Sequence, residues 1–123
     1  MSKKIALVGH CGPDASYLMV HIRRAIDGAH VSLVDDAQEL DELLNAGVDL
    51  VLFNRELHYG FEESMGVDVI KRLSETHPQV KTMLISNYAE AHDAAVAAGA
   101  LRGFGKRELG TPRVAELLQS ALE

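Results

Sequence analysis

The sequence predicts an α/β fold, a five-stranded parallel sheet with helices on both faces. Three observations carry this. The stretch Asp49-Leu50-Val51-Leu52-Phe53-Asn54-Arg55-Glu56-Leu57 is an apolar run ending abruptly in a polar residue, as a strand buried on both faces reads. Runs of this kind alternate along the chain with segments of helical periodicity, the pattern of a parallel sheet with right-handed crossovers. The chain has 123 residues, 47% hydrophobic and 24% charged, which suits one globular domain over residues 1–123 with a single core.

The first strand is Lys4 to Val8, followed by the loop Gly9-His10-Cys11-Gly12-Pro13-Asp14. Pro13 suits a first helical turn. The helix behind it puts Ala15, Leu18, Met19, Ile22 and Ile26 on one face, and Gly28 ends it. His30 to Val34 is a second, β-branched strand. Asp36 with Glu39 opens the next helix as a capping pair, Ala37, Leu40, Leu43 and Leu44 form its apolar face, and Gly47 stops it. The strand through Phe53 follows, then a long loop from Asn54 to about Glu63. A third helix turns Gly66, Val69, Ile70 and Leu73 inward and ends before His77-Pro78.

Lys81 to Ile85 is the fourth strand, ending in Ser86. Asn87 and Glu90 form another helix-start pair, with Ala91, Ala94, Ala95 and Ala98 as a small-residue face closed by Gly99. Leu101 to Phe104 is a short last strand interrupted by Gly103. Thr111-Pro112 caps a final helix that carries Val114, Leu117, Leu118 and Ala121. Five strands and five helices in this alternation predict a flavodoxin-like three-layer sandwich of order 2-1-3-4-5.

Composition excludes several functions. A net charge of -6 argues against a non-specific grip on nucleic acid, and 5% aromatics argue against base-stacking platforms. No segment approaches the roughly 18 apolar residues of a membrane span, and no signal peptide precedes the first strand. The lone Cys11 cannot make an internal disulfide, which fits a cytoplasmic location. His10-Cys11 with Asp14 and His58 lacks the paired short spacing of closed zinc sites. A Cys11 nucleophile is disfavoured, since Pro13 removes an amide, Asp14 adds the wrong charge, and Tyr17 stands six residues on where a phosphate loop needs Arg. Gly9-His-Cys-Gly12 is not the dinucleotide turn Gly-x-Gly-x-x-Gly. An enzyme is not expected.

Gly9-His10, Asn54 and Ser86 close the first, third and fourth strands, and Lys106 follows the fifth. In that arrangement the chain resembles the receiver (CheY-like) domain of response regulators in two-component phosphorelay signalling, over essentially its whole length. The resemblance implies an acidic pair at Gly9-His10, a phospho-accepting Asp at Asn54, a Ser or Thr at Ser86 and a Lys at Lys106. Ser86 and Lys106 match, while Gly9, His10 and Asn54 do not. Arg107 also stands where the family has Pro, and Gly103 where it has its switch aromatic. Phe104 lies one place later, on the other face by strand alternation.

Phosphoryl transfer to a receiver needs a carboxylate nucleophile and a magnesium ion on oxygen ligands. Gly9, His10 and Asn54 supply one amide oxygen and no charge, so neither Mg²⁺ binding nor aspartyl phosphorylation is expected, and no other cofactor. The expected function is an atypical, pseudo-receiver domain acting through protein–protein contact. The resemblance implies a partner on the face made by helix 4, strand 5 and helix 5, either a signalling protein or a second copy in a homodimer. The alternative is a small-anion or small-ligand sensor using His10, Asn54, Ser86 and Lys106. Against it stands a site in which Lys106 merely pairs with Asp14 or Glu56. The loop carrying His58, Tyr59, Phe61 and Glu62-Glu63 is expected to form a distinct surface.

Overall fold

The computed structural model describes residues 2–123. Strands β1 (Lys4–Val8), β2 (His30–Val34), β3 (Leu50–Asn54), β4 (Lys81–Ile85) and β5 (Leu101–Phe104) alternate with helices α1 (Gly12–Ala25), α2 (Ala37–Ala46), α3 (Gly66–Thr76), α4 (Ala89–Ala97) and α5 (Pro112–Ala121). All strand pairs are parallel and their order is β2-β1-β3-β4-β5, as expected. The register sets Val8 beside both Val34 and Phe53, so the strands end together at one edge.

Strand alternation splits the core into two layers. Ile5, Leu7, Leu50, Leu52, Met83 and Ile85 face α1 and α5, and meet Leu18, Ile22, Val114 and Leu118. Ala6, Val8, Val51, Phe53 and Leu84 face α2, α3 and α4, and meet Leu40, Leu44, Val69, Ile70, Leu73 and Ala95. The apolar runs of β1, β3 and β4 are continuous because both their faces are covered. No described helix is long and apolar enough to cross a membrane.

The Asp36 cap forms as expected, its Oδ1 accepting the Glu39 amide at 2.8 Å. Asp36→Ala is therefore expected to cost about 1 kcal/mol of stability, read from the urea midpoint. Two other expected caps are not made. Tyr88 takes the cap position of α4, and the Asn87 side chain instead accepts the Arg107 amide at 3.3 Å. Thr111 stands at the cap position of α5 but makes no side-chain cap, its hydroxyl donating instead to the Glu108 carbonyl at 2.7 Å. On α4, Ala95 is buried while Ala94 is exposed, and the inward place beside Ala95 belongs to His92.

β5 departs from simple alternation. Met83 pairs with Leu101 and Ile85 with Phe104, so β5 holds one residue more than β4 between these pairs, a one-residue bulge. The bulge puts Phe104 fully into the layer under α1 and α5. Gly103 lies flat on β4, where a Cβ would overlap the Leu84 carbonyl oxygen. A short 3₁₀ turn, Lys106–Glu108, then leads to α5.

Candidate functional site

The carboxyl edge of the sheet gathers the loops after β1, β3, β4 and β5, and Asn54 closes β3 at its centre. Its amide donates to the Glu56 carbonyl at 2.9 Å, which fixes the amide's orientation. Two cavities flank it. One, of about 140 Å³, is lined by Asn54, Arg55, Ile85, Ser86, Asn87, Tyr88 and Lys106. The other, of about 260 Å³, is lined by Gly9, His10, Cys11, Asp14, Asp35, Asn54, His58 and Tyr59. Asn54, Ser86 and Lys106 thus come together, and His10 lies across Asn54 from them.

Lys106 reaches back to Asp14 and pairs with it at 2.7 Å. This ammonium, and then a hydrogen bond from Cys11, hold the Asp14 carboxyl below the usual carboxylate range. Of the two acids considered as partners of Lys106, it is Asp14 that takes it. Glu56 instead binds Arg55 at 2.9 Å, and Arg55 also lies over the Tyr88 ring, 5.1 Å from its centroid.

His10 is buried, and its Nε2 lies 3.0 Å from the Leu52 carbonyl. A carbonyl only accepts, so Nε2 carries the proton and Nδ1 is left as a lone pair, which has no partner. Burial, with Lys106 adding to it, pushes the His10 pKa down to about 4. The ring is neutral at pH 7 and offers no proton to an anion in the adjoining cavity.

Every polar group of Ser86 is engaged. Its amide donates to the Phe104 carbonyl at 3.0 Å, its Oγ accepts the Tyr88 amide at 3.1 Å, and its carbonyl lies 2.6 Å from His92 Nε2. His92 was missed by sequence reasoning. In a helix of near-uniform alanines no periodic signal tells which way a single histidine points.

The loop after β3 is ordered by backbone pairing. Leu57 donates to the Ser64 carbonyl, Gly66 to the Arg55 carbonyl, and Glu56 and Met65 form an antiparallel bridge. Its tip crosses to α2, where the Ala37 amide donates to the Gly60 carbonyl at 2.8 Å. Glu63 binds Arg72 at 2.6 Å, and that guanidinium holds its carboxyl below the usual range. Tyr59 projects almost fully into solvent, giving the distinct surface expected of this loop. Leu57 turns inward and is buried against Gly9, which has φ +77°. Cys11 is exposed, and no cluster of three or more His, Cys, Asp or Glu suited to a metal occurs among the described residues.

No protein-family model matches the chain, and no curated protein matches it. Solved structures share its fold. NtrX from Brucella abortus superposes with a TM-score of 0.81 at 19% identity, over 99% of this chain and 28% of that one. The chain therefore spans little more than a quarter of NtrX. The signal receiver domain of a DNA-binding response regulator (merR) from Colwellia psychrerythraea 34H gives 0.74 at 17% identity, over 96% of each chain. The beryllofluoride-activated NtrC4 receiver domain dimer gives 0.77 at 15%, over 97% of this chain and 95% of that one. At these identities the likeness is one of fold: the chain has the flavodoxin-like fold of receiver domains.

Proposed function

We propose that this chain is an atypical receiver domain that works in two-component-type signalling by protein contact, without aspartyl phosphorylation and without enzymatic activity. The observation that carries this is the chemistry of the sheet's carboxyl edge. The residue closing β3 is an amide tied to Glu56, the residues after β1 are Gly9 and His10, and the one carboxylate close to Lys106 is spent on it. The magnesium ion that the resemblance implies does not fit this set. It needs several oxygen ligands. Here position 9 offers no side chain, His10 is turned onto Leu52, and Asp14 is already paired.

The partner would meet the face of α4, β5 and α5, where Tyr88, Val96 and Leu101 are exposed. It is a signalling protein or a second copy of this chain, in the cytoplasm. The NtrC4 receiver is a dimer by its own description, which supports the second choice. The test is intact mass after incubation with a small-molecule phosphodonor and Mg²⁺. No phosphoryl adduct is expected on the wild type, and a stable one would overturn the proposal. The same measurement on Asn54→Asp shows whether Ser86 and Lys106 still support the chemistry once a carboxylate is restored.

A second reading, a small-anion sensor, is favoured by Arg55 and Lys106, which both line the smaller cavity with Asn54 and Ser86. It ranks second because both cations are already paired with acids. Inorganic phosphate at millimolar concentration would raise the unfolding temperature if this reading held, since a ligand of the folded state stabilises it.

A further inference from the structure

We infer that the larger cavity beside Asn54 is a site for a guanidinium group, with Asp35 as its counter-charge and Tyr59 as the ring that stacks on it. The inference does not depend on reading the edge as a receiver-type site. The cavity measures about 260 Å³. That is just under the range for drug-sized ligands, about 300–1,000 Å³, so its occupant is small. Of its two carboxylates, Asp14 is answered by Lys106, but Asp35 belongs to no ion pair among the described residues. His10 lines the same cavity, is only 9% exposed and, neutral at pH 7, adds no positive charge. It brings instead an Nδ1 lone pair that no donor of the fold meets. Acceptors left without donors call for a cation that carries its own N–H groups.

A metal ion is the poorer fit. Five residues of metal-binding type line the cavity, His10, Cys11, Asp14, Asp35 and His58, yet among the described residues no three converge as a metal requires. A metal needs its ligands within about 2.0–2.6 Å of one point. A guanidinium spreads five N–H donors around a plane, reaches acceptors that stand apart, and stacks on aromatic faces. An ammonium is a compact, strongly hydrated point charge without that plane. The ring and the carboxylate are held to the same wall. Gly60, next to Tyr59, has φ +87° and lies flat on the backbone of Asp35, where a Cβ would overlap the Asp35 carbonyl oxygen. Its own carbonyl accepts the Ala37 amide at 2.8 Å. Tyr59 is 83% exposed, so its ring is free to take a planar cation. A loop fastened in this way binds without the cost of being ordered first.

The test is NMR titration of the full chain with agmatine and with putrescine, two dications that differ in the guanidinium group. Agmatine is expected to move the backbone amides of Asp35 and Tyr59 saturably, with a Kd of about 1 mM or below, and putrescine to bind at least about fivefold more weakly. Asp35→Asn is expected to weaken agmatine at least about tenfold, as the loss of a charged hydrogen bond does. Shifts that do not saturate, equal affinity for putrescine, or an unchanged affinity in Asp35→Asn would overturn the inference. Should Asp35→Asn fail to fold, Tyr59→Ala decides the matter, since that side chain lies almost wholly in solvent. It is expected to weaken agmatine about threefold or more, and an unchanged affinity would overturn the inference. A blocked Gly-Arg-Gly peptide shows where the guanidinium comes from. Tighter binding than agmatine points to an arginine of a partner protein and weaker binding to a free small molecule, and both support the site.

Discussion

Gly103→Tyr, which restores an aromatic where receivers carry their switch residue, is expected to abolish folding. The cause is backbone against backbone. A Cβ at position 103 overlaps the Leu84 carbonyl oxygen and lies 3.1 Å and 3.3 Å from the Leu84 carbonyl carbon and amide nitrogen. None of these atoms can rotate away. Relief requires β5 to leave β4, which breaks the Ser86–Phe104 hydrogen bond and draws Phe104 out of the core. Overpacking costs about 1–3 kcal/mol where side chains can adjust. With only backbone to move, Gly103→Ala should reach the top of that range and the tyrosine should exceed it. A domain stable by about 5–15 kcal/mol has little room for such a loss. Circular dichroism with urea would show no cooperative transition for Gly103→Tyr, and a midpoint near the wild type would show that β5 can yield.

Acid should destabilise the protein in a window set by His10. Its folded pKa is about 4, while the unfolded chain takes up the proton near 6.5. Between these values the unfolded state binds a proton that the folded state refuses, so falling pH favours unfolding. Stability is unaffected by this group above about pH 6.5 and falls from there to about pH 4, by about 3 kcal/mol in all. The Asp14 and Glu63 carboxyls are shifted in the same direction, downward, so acid removes their contribution too, as pH falls from their ordinary values of 3.8 and 4.5 through their lower folded ones, mostly below the His10 window. Urea midpoints across pH 7 to 4 would separate the two. His10→Gln keeps a donor for Leu52 without a titrating ring, and its profile should be flat over the His10 window. The same slope in both proteins would remove His10 as the cause.

The central strands β1, β3 and β4 were legible because each is an apolar run closed by a polar or glycine residue, and β3 from Leu50 to Asn54 shows why. Its two faces are buried in different layers, so the run needs no alternation and ends where the sheet ends. Gly9, Asn54 and Ser86 lie at or directly after strand ends, whereas Lys106, two residues beyond β5 in the 3₁₀ turn, was placed by the resemblance to receivers. What could not be read are contacts whose second partner is backbone. His92 to the Ser86 carbonyl, Ala37 to the Gly60 carbonyl and His10 to the Leu52 carbonyl leave no residue-type signature at the accepting end. The bulge in β5 was hidden for a related reason. Gly103 signalled an interruption, but only the approach of Leu84 shows that the strand must lie flat there.

Ser86, with its amide, hydroxyl and carbonyl all bonded, has a consequence for how often this protein can change state. Moving the loop between β4 and α4 breaks three hydrogen bonds, each worth about 1 kcal/mol net. A rearranged loop lying about 3 kcal/mol above the resting one is populated in fewer than about one molecule in a hundred. A partner that recognises the resting shape therefore finds nearly every copy ready to bind. One that needs the other shape must bind it more than about a hundredfold more tightly before it recruits most of the population.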